Sequence, residues 1–140
     1  MNPIRQLGKH LTFFFLFMTV VGVTVAKAPD KYTFFSFEMY NEANDTYYFV
    51  VSDPVKNWYS DLSKDQRDDF IIDFRVAANK QAGVQIMKSY QTPVPIDGNS
   101  ERYSSLSQCR EGIQKKEEKH KAMYKDHGTV KVIYVNLQKY

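Results

Sequence analysis

Residues 11–25, LTFFFLFMTVVGVTV, run for 15 positions without a charged side chain. Arg5, Lys9 and His10 precede the run, and no acidic residue comes before Asp30. A basic leader, a short apolar stretch and small residues after it form the pattern of a secretory signal peptide. With a rise of ~1.5 Å per residue such a helix spans roughly 22 Å, short of the ~30 Å hydrocarbon core of a bilayer. The expectation is therefore a cleaved signal over residues 1–26 and a secreted or periplasmic product, with no membrane association after the signal is removed. A retained signal anchor, giving a membrane-tethered interaction protein, is the alternative. Ala26-Lys27-Ala28 fits the usual cleavage pattern. Cutting after Ala28, however, breaks a bond to Pro29, whose fixed φ suits an extended scissile bond badly. Cleavage before Lys27 avoids this.

Residues 31–140 have the makeup of one folded domain. The chain is 43% hydrophobic, with ten Tyr and ten Phe, and this is enough apolar area to offset the entropy of ordering. Of the 19 basic residues, losing Arg5 and Lys9 leaves 17 against 16 acidic, a net charge of +1. Nucleic-acid binding needs a concentrated basic face, so no nucleic-acid partner is expected. Cys109 is the single cysteine, which rules out an intrachain disulfide and leaves the apolar core to hold the fold.

Residues 31–40 alternate, with Phe35, Phe37 and Met39 on one side and Phe34, Ser36 and Glu38 on the other. Residues 46–52, TYYFVVS, form a second strand, joined to the first through the turn-type stretch 41–45. Ser63 and Gln66 make a capping box for a helix to Ala82, closed by Gly83. On that helix Phe70, Ile71, Phe74, Ala77 and Ala78 share a core stripe. Residues 84–90 read as a third strand, and a loop with Pro93, Pro95 and Gly98 comes after it. A second helix spans 104–127, with Leu106, Cys109, Ile113, His120 and Tyr124 along one face, and Gly128 ends it. Two acid-first pairs, Glu111 with Lys115 and Glu117 with Lys121, support it. Residues 129–138 form the last strand. The predicted fold is α+β: a four-stranded mixed sheet in β-β-α-β-α-β order with both helices on one face.

No motif specifies chemistry. Cys109 and His120 lie 11 residues apart on one helix, roughly 16 Å along the axis, too far to form a dyad. His120 and His127 lack the spacing and third ligand of a zinc site. Asp65, Asp69 and Asp73 recur every four residues and read as a solvated acidic face without a calcium loop. Neither metal nor cofactor is expected. Tyr32, Phe34, Tyr40, Tyr47 and Tyr48 read as sheet core and cross-strand pairs. Asn44-Asp45-Thr46 fits an N-glycosylation sequon.

Ile72 and Val76, opposite the core stripe and ringed by aspartates, are candidate partner-binding residues, as are Pro93 and Pro95 in the loop. Together these features point to an exported, non-enzymatic binding protein acting by protein contacts: an inhibitor, an immunity-type protein or an envelope accessory module. The alternative is a small secreted hydrolase whose Asp and His residues the fold gathers, with His127, Asp126 and Asp97 as catalytic candidates.

Overall fold

The computed structural model describes residues 27–95, 103–137 and 139. The expected signal peptide, Asp97 and Gly98 lie outside these residues.

The strands are β1 (Tyr32–Thr33), β2 (Phe35–Asn41), β3 (Thr46–Ser52), β4 (Val55–Lys56), β5 (Val94–Pro95) and β6 (Thr129–Val135); the helices are α1 (Lys64–Ala82) and α2 (Leu106–Tyr124). A 3-10 turn, Glu42–Asn44, closes the β2–β3 hairpin, with Asp45 in the left-handed region at φ 46°. The main sheet has the order β5-β2-β3-β6; β3 and β6 run parallel and the other pairs antiparallel. The fold is thus α+β with a four-stranded mixed sheet and two helices. The short strands β1 and β4 pair separately, Tyr32 opposite Lys56 and Thr33 opposite Val55.

The expected start of α1 is present in full. Ser63 Oγ accepts from the Gln66 amide, the Gln66 side chain accepts from the Ser63 amide, and Gly83 closes the helix at φ 73°. Such a reciprocal cap satisfies two amides that the helix itself leaves unpaired.

Two expectations need correction. The helices do not share one face of the sheet. Phe70, Phe74 and Ala78 of α1 pack with Phe35, Tyr48, Val50, Ile133 and Val135. Cys109 and Ile113 of α2 pack with Phe34, Phe49, Val51 and Val132. Side chains alternate across a strand, so Tyr48 and Val50 face α1 whereas Phe49 and Val51 face α2. Such a central strand, apolar on both sides, needs cover on both sides.

Residues 84–90 are not a strand. The Asn79 side chain accepts from the amides of Ile86 and Met87 at 2.9 and 2.8 Å and donates to the Met87 carbonyl at 2.9 Å. One helix side chain thereby occupies the backbone groups that a ladder would have used, and Ile86 and Met87 both plug the α1 side of the core. The third strand of the sheet falls instead at Val94–Pro95, and Pro95 sits at an edge where its missing N–H costs nothing.

Smaller differences have equally local causes. Leu106, expected on the buried stripe of α2, is 39% exposed, because α2 turns its first residue past the end of the sheet. Glu117 pairs with Lys121 and also accepts from the Tyr134 hydroxyl, which ties α2 to β6. No Glu111–Lys115 ion pair closes among the described residues.

Candidate functional site

β2 is an edge strand for most of its length. Its contact with β5 covers only Phe35 and Ser36, leaving the strand from Phe37 onward without a neighbour on that side among the described residues. The Phe35 amide donates to Ser52 Oγ at 2.9 Å, on the β3 side. Backbone groups alternate along a strand, so those of Phe37 and Met39 also face β3, and those of Glu38 and Tyr40 face the open edge. Among the described residues no turn or loop hydrogen bond reaches the amide or carbonyl of either one.

α2 packs on β3 and β6, on the sheet face to which Glu38 points. Between α2 and the Glu38 side chain is a groove of about 600 Å3. Its helix wall is formed by positions 108, 111, 112, 115, 116, 119, 120 and 123. That three-and-four spacing is one face of a helix, running roughly 22 Å from Gln108 to Met123 at ~1.5 Å per residue. Tyr103 also lines it, beside Gly112. Its ring lies over Phe34, with centroids 6.1 Å apart, and its backbone pairs with Tyr32 in both directions at 2.8 and 3.0 Å. A side chain on Gly112 would overlap the Tyr103 ring, so a glycine in mid-helix is what lets Tyr103 come this close.

The groove is cationic along its helix wall. Lys116 pairs with Glu38 at 3.7 Å. Lys115 and Lys119 line the groove and have no ion pair among the described residues. His120 forms part of the floor; its ring stacks on Phe49 at 5.0 Å and meets Tyr124 at 4.8 Å. Burial lowers its pKa, and the nearby Glu38 carboxylate opposes the shift without cancelling it. The ring ladder continues from Tyr124 to Tyr47 at 4.3 Å and on to Tyr40 at 4.5 Å, so Tyr40 and Tyr47 do serve as a cross-strand pair.

A second cavity, about 610 Å3, opens at the C-terminal ends of the parallel strands β3 and β6, between Pro54, Arg110 and Asn136. Its most buried polar group, the Ser52 hydroxyl, is already engaged with the Phe35 amide and the Asp53 carbonyl.

The residues singled out from sequence fall apart in space. Ile72 and Val76 are 49% and 58% exposed on the outer side of α1, away from both cavities. Pro93 is buried and Pro95 belongs to the edge strand β5, where a loop was expected. His127 and Asp126 stand exposed in the turn between α2 and β6 and line neither cavity. Asp73 pairs with Lys139, and the described residues contain no cluster of three or more His, Cys, Asp or Glu that would hold a metal. Asn44 lies in the exposed hairpin turn and donates to the Tyr48 hydroxyl at 2.9 Å. No described helix is long and apolar enough to cross a membrane.

The groove itself escaped the sequence. Lys115, Lys116 and Lys119 lie in a run of mixed sign that reads as solvated helix surface. Only the placement of α2 over the sheet, with Glu38 and Tyr103 opposite, makes them the wall of a site. No protein-family model, curated protein or solved structure matches the chain.

Proposed function

We propose that the chain is an exported binding module, of the inhibitor, immunity-type or envelope accessory kind, which works by contact with another protein and not by turnover. Its contact site is the groove between β2 and α2. The observation that carries this reading is the combination of a β2 edge that no strand pairs beyond Ser36, among the described residues, with a lysine-lined helix wall. Exposed edges are normally blunted or covered, because they template pairing with another chain. The apolar run at residues 11–25 supports export.

The test is site-specific photo-crosslinking in the exported fraction of the producing cell, with the crosslinker at position 123 in the groove or at position 65 on α1. A discrete adduct from position 123 alone, lost when Lys115 is changed to Glu, supports the reading. The same adducts from both positions contradict it, as does catalytic turnover abolished by His127→Ala. Mass spectrometry of the mature chain tests export: a start at Lys27 is expected, and a full-length chain in the cytosol contradicts it.

A further inference from the structure

We infer that the partner enters this groove as an added β-strand, and that the strand carries acidic side chains at alternate positions. The inference rests on the groove being the contact site and specifies what fills it.

Three observations converge. The first is the hydrogen-bonding edge. Glu38 and Tyr40 each turn an amide and a carbonyl away from β3, and among the described residues no strand pairs with them on that side. Two residues of one strand at this spacing are the minimum set that an incoming antiparallel or parallel strand can pair with. Main-chain pairing of this kind supplies affinity in strand-addition complexes, while side-chain pockets supply selectivity.

The second is shape. The groove runs along α2 from Gln108 to Met123, so it is elongated along the helix. An extended segment fits such a trough better than a compact ligand does.

The third is the match of spacing and charge. Lys115 and Lys119 are one turn apart, roughly 6 Å along the helix axis. Alternate residues of a β-strand lie roughly 6.6 Å apart and point to the same side. A strand docked on the β2 edge therefore presents residues i and i+2 toward α2 at about the interval of the two lysines. Lys116 is engaged with Glu38, so Lys115 and Lys119 are the cations left to meet those side chains; Glu111 is the one groove acid outside that pair. The partner segment should thus read acidic-x-acidic, with x facing away from α2. The N-terminal run of this same chain has no acidic residue and does not meet this requirement.

The experiment is a binding titration of the purified chain with blocked ten-residue peptides, monitored by intrinsic tyrosine fluorescence and calorimetry. The probe alternates glutamate and threonine. One control has the same composition with the glutamates in one block, another replaces glutamate with lysine, and a third pair methylates alternate backbone nitrogens in one register or the other. The alternating peptide should bind at least ten-fold tighter than the block and lysine controls and than one of the two N-methylated registers, and Lys115→Glu with Lys119→Glu should reverse the preference between the acidic and basic peptides. Undiminished binding of both N-methylated registers overturns strand addition. Equal binding of the alternating and block peptides overturns the spacing argument. Absence of any peptide binding, when crosslinking at position 123 still yields its lysine-dependent adduct, overturns this inference and leaves the groove as the contact site. Loss of that adduct removes the site itself.

Discussion

His120 Nδ1 lies 3.5 Å from Glu38 Oε2, yet neither ring nitrogen of His120 completes a hydrogen bond. Proximity without alignment leaves the imidazole buried at 4% exposure with its polar atoms unsatisfied. Such a group costs roughly 1–3 kcal/mol of desolvation. His120 is held there by its stacking on Phe49 and by the ladder through Tyr124.

This arrangement sets a pH dependence. Burial pushes the imidazole below its ordinary value of 6.5, against the pull of Glu38 and with a small contribution from Lys116. The unfolded chain therefore takes up a proton before the folded one does as pH falls. Stability is greatest above the unfolded value, declines as pH drops below 6.5, and levels off once the folded imidazole is also charged. His120→Phe should remove this slope and raise stability near pH 6 by about 1 kcal/mol, because the stack is kept and the unsatisfied nitrogens are lost. Urea denaturation from pH 5 to 8 checks it; an unchanged slope contradicts it.

Cys109 is fully buried between α2 and the sheet, and burial pushes its thiol up to about 12. Thiolate is the reactive form, so thiol reagents should label the native chain slowly and the unfolded chain fast. Cys109→Ser should cost about 1–3 kcal/mol, since the hydroxyl lands in apolar surroundings. Rapid native labelling, or a Cys-linked dimer on a non-reducing gel, contradicts the placement.

Asn57 is a buried polar residue in the left-handed region at φ 48°, and three groups converge on it. Its Oδ1 accepts from the Lys31 amide at 2.8 Å, and its Nδ2 donates to Asp30 at 3.2 Å and Asp61 at 3.0 Å. It thereby clasps the start of the domain to the β4–α1 connection. Asn57→Ala should cost about 2–4 kcal/mol, from lost hydrogen bonds and left-handed strain together. Asn57→Gly should recover about 1 kcal/mol of that by relieving the strain alone. The Asp61 carboxyl, held below its ordinary value chiefly by Asn57 and then by Ser60, should titrate higher in both variants by NMR.

Gly112 and Tyr103 should be energetically coupled. An exposed helix normally gains about 1 kcal/mol from Gly→Ala. Here the added carbon overlaps a ring that Phe34 and Tyr32 hold in place, so Gly112→Ala should destabilise by about 1–2 kcal/mol. In a Tyr103→Ala background the same change should stabilise. A double-mutant cycle by chemical denaturation measures the coupling, and additive effects contradict it.

The elements written in local code were legible from the sequence, and the groove was not. The α1 cap, Gly83 and the apolar stripe are signals within one turn of the residues they shape, and α1 forms where they place it. The β2–β3 hairpin and β6 are likewise marked by alternation and β-branching. Residues 84–90 read as a strand too, but a competitor upstream, Asn79, takes the backbone of Ile86 and Met87. The placement of helices was readable in principle, since Tyr48 to Val51 are apolar at consecutive positions and such a strand needs cover on both faces. The groove depends on which strand edge is left open, and no local pattern around Glu38 or Lys115 records that.

Amide hydrogen exchange along β2 tests the central claim most directly. In the free chain the amides of Glu38 and Tyr40 should exchange fast, while those of Phe37 and Met39, paired to β3, exchange slowly. Adding the alternating acidic peptide should slow Glu38 and Tyr40 at least ten-fold and leave Phe37 and Met39 unchanged. Uniform protection of all four amides in the free chain would show the edge already covered, and would contradict the account.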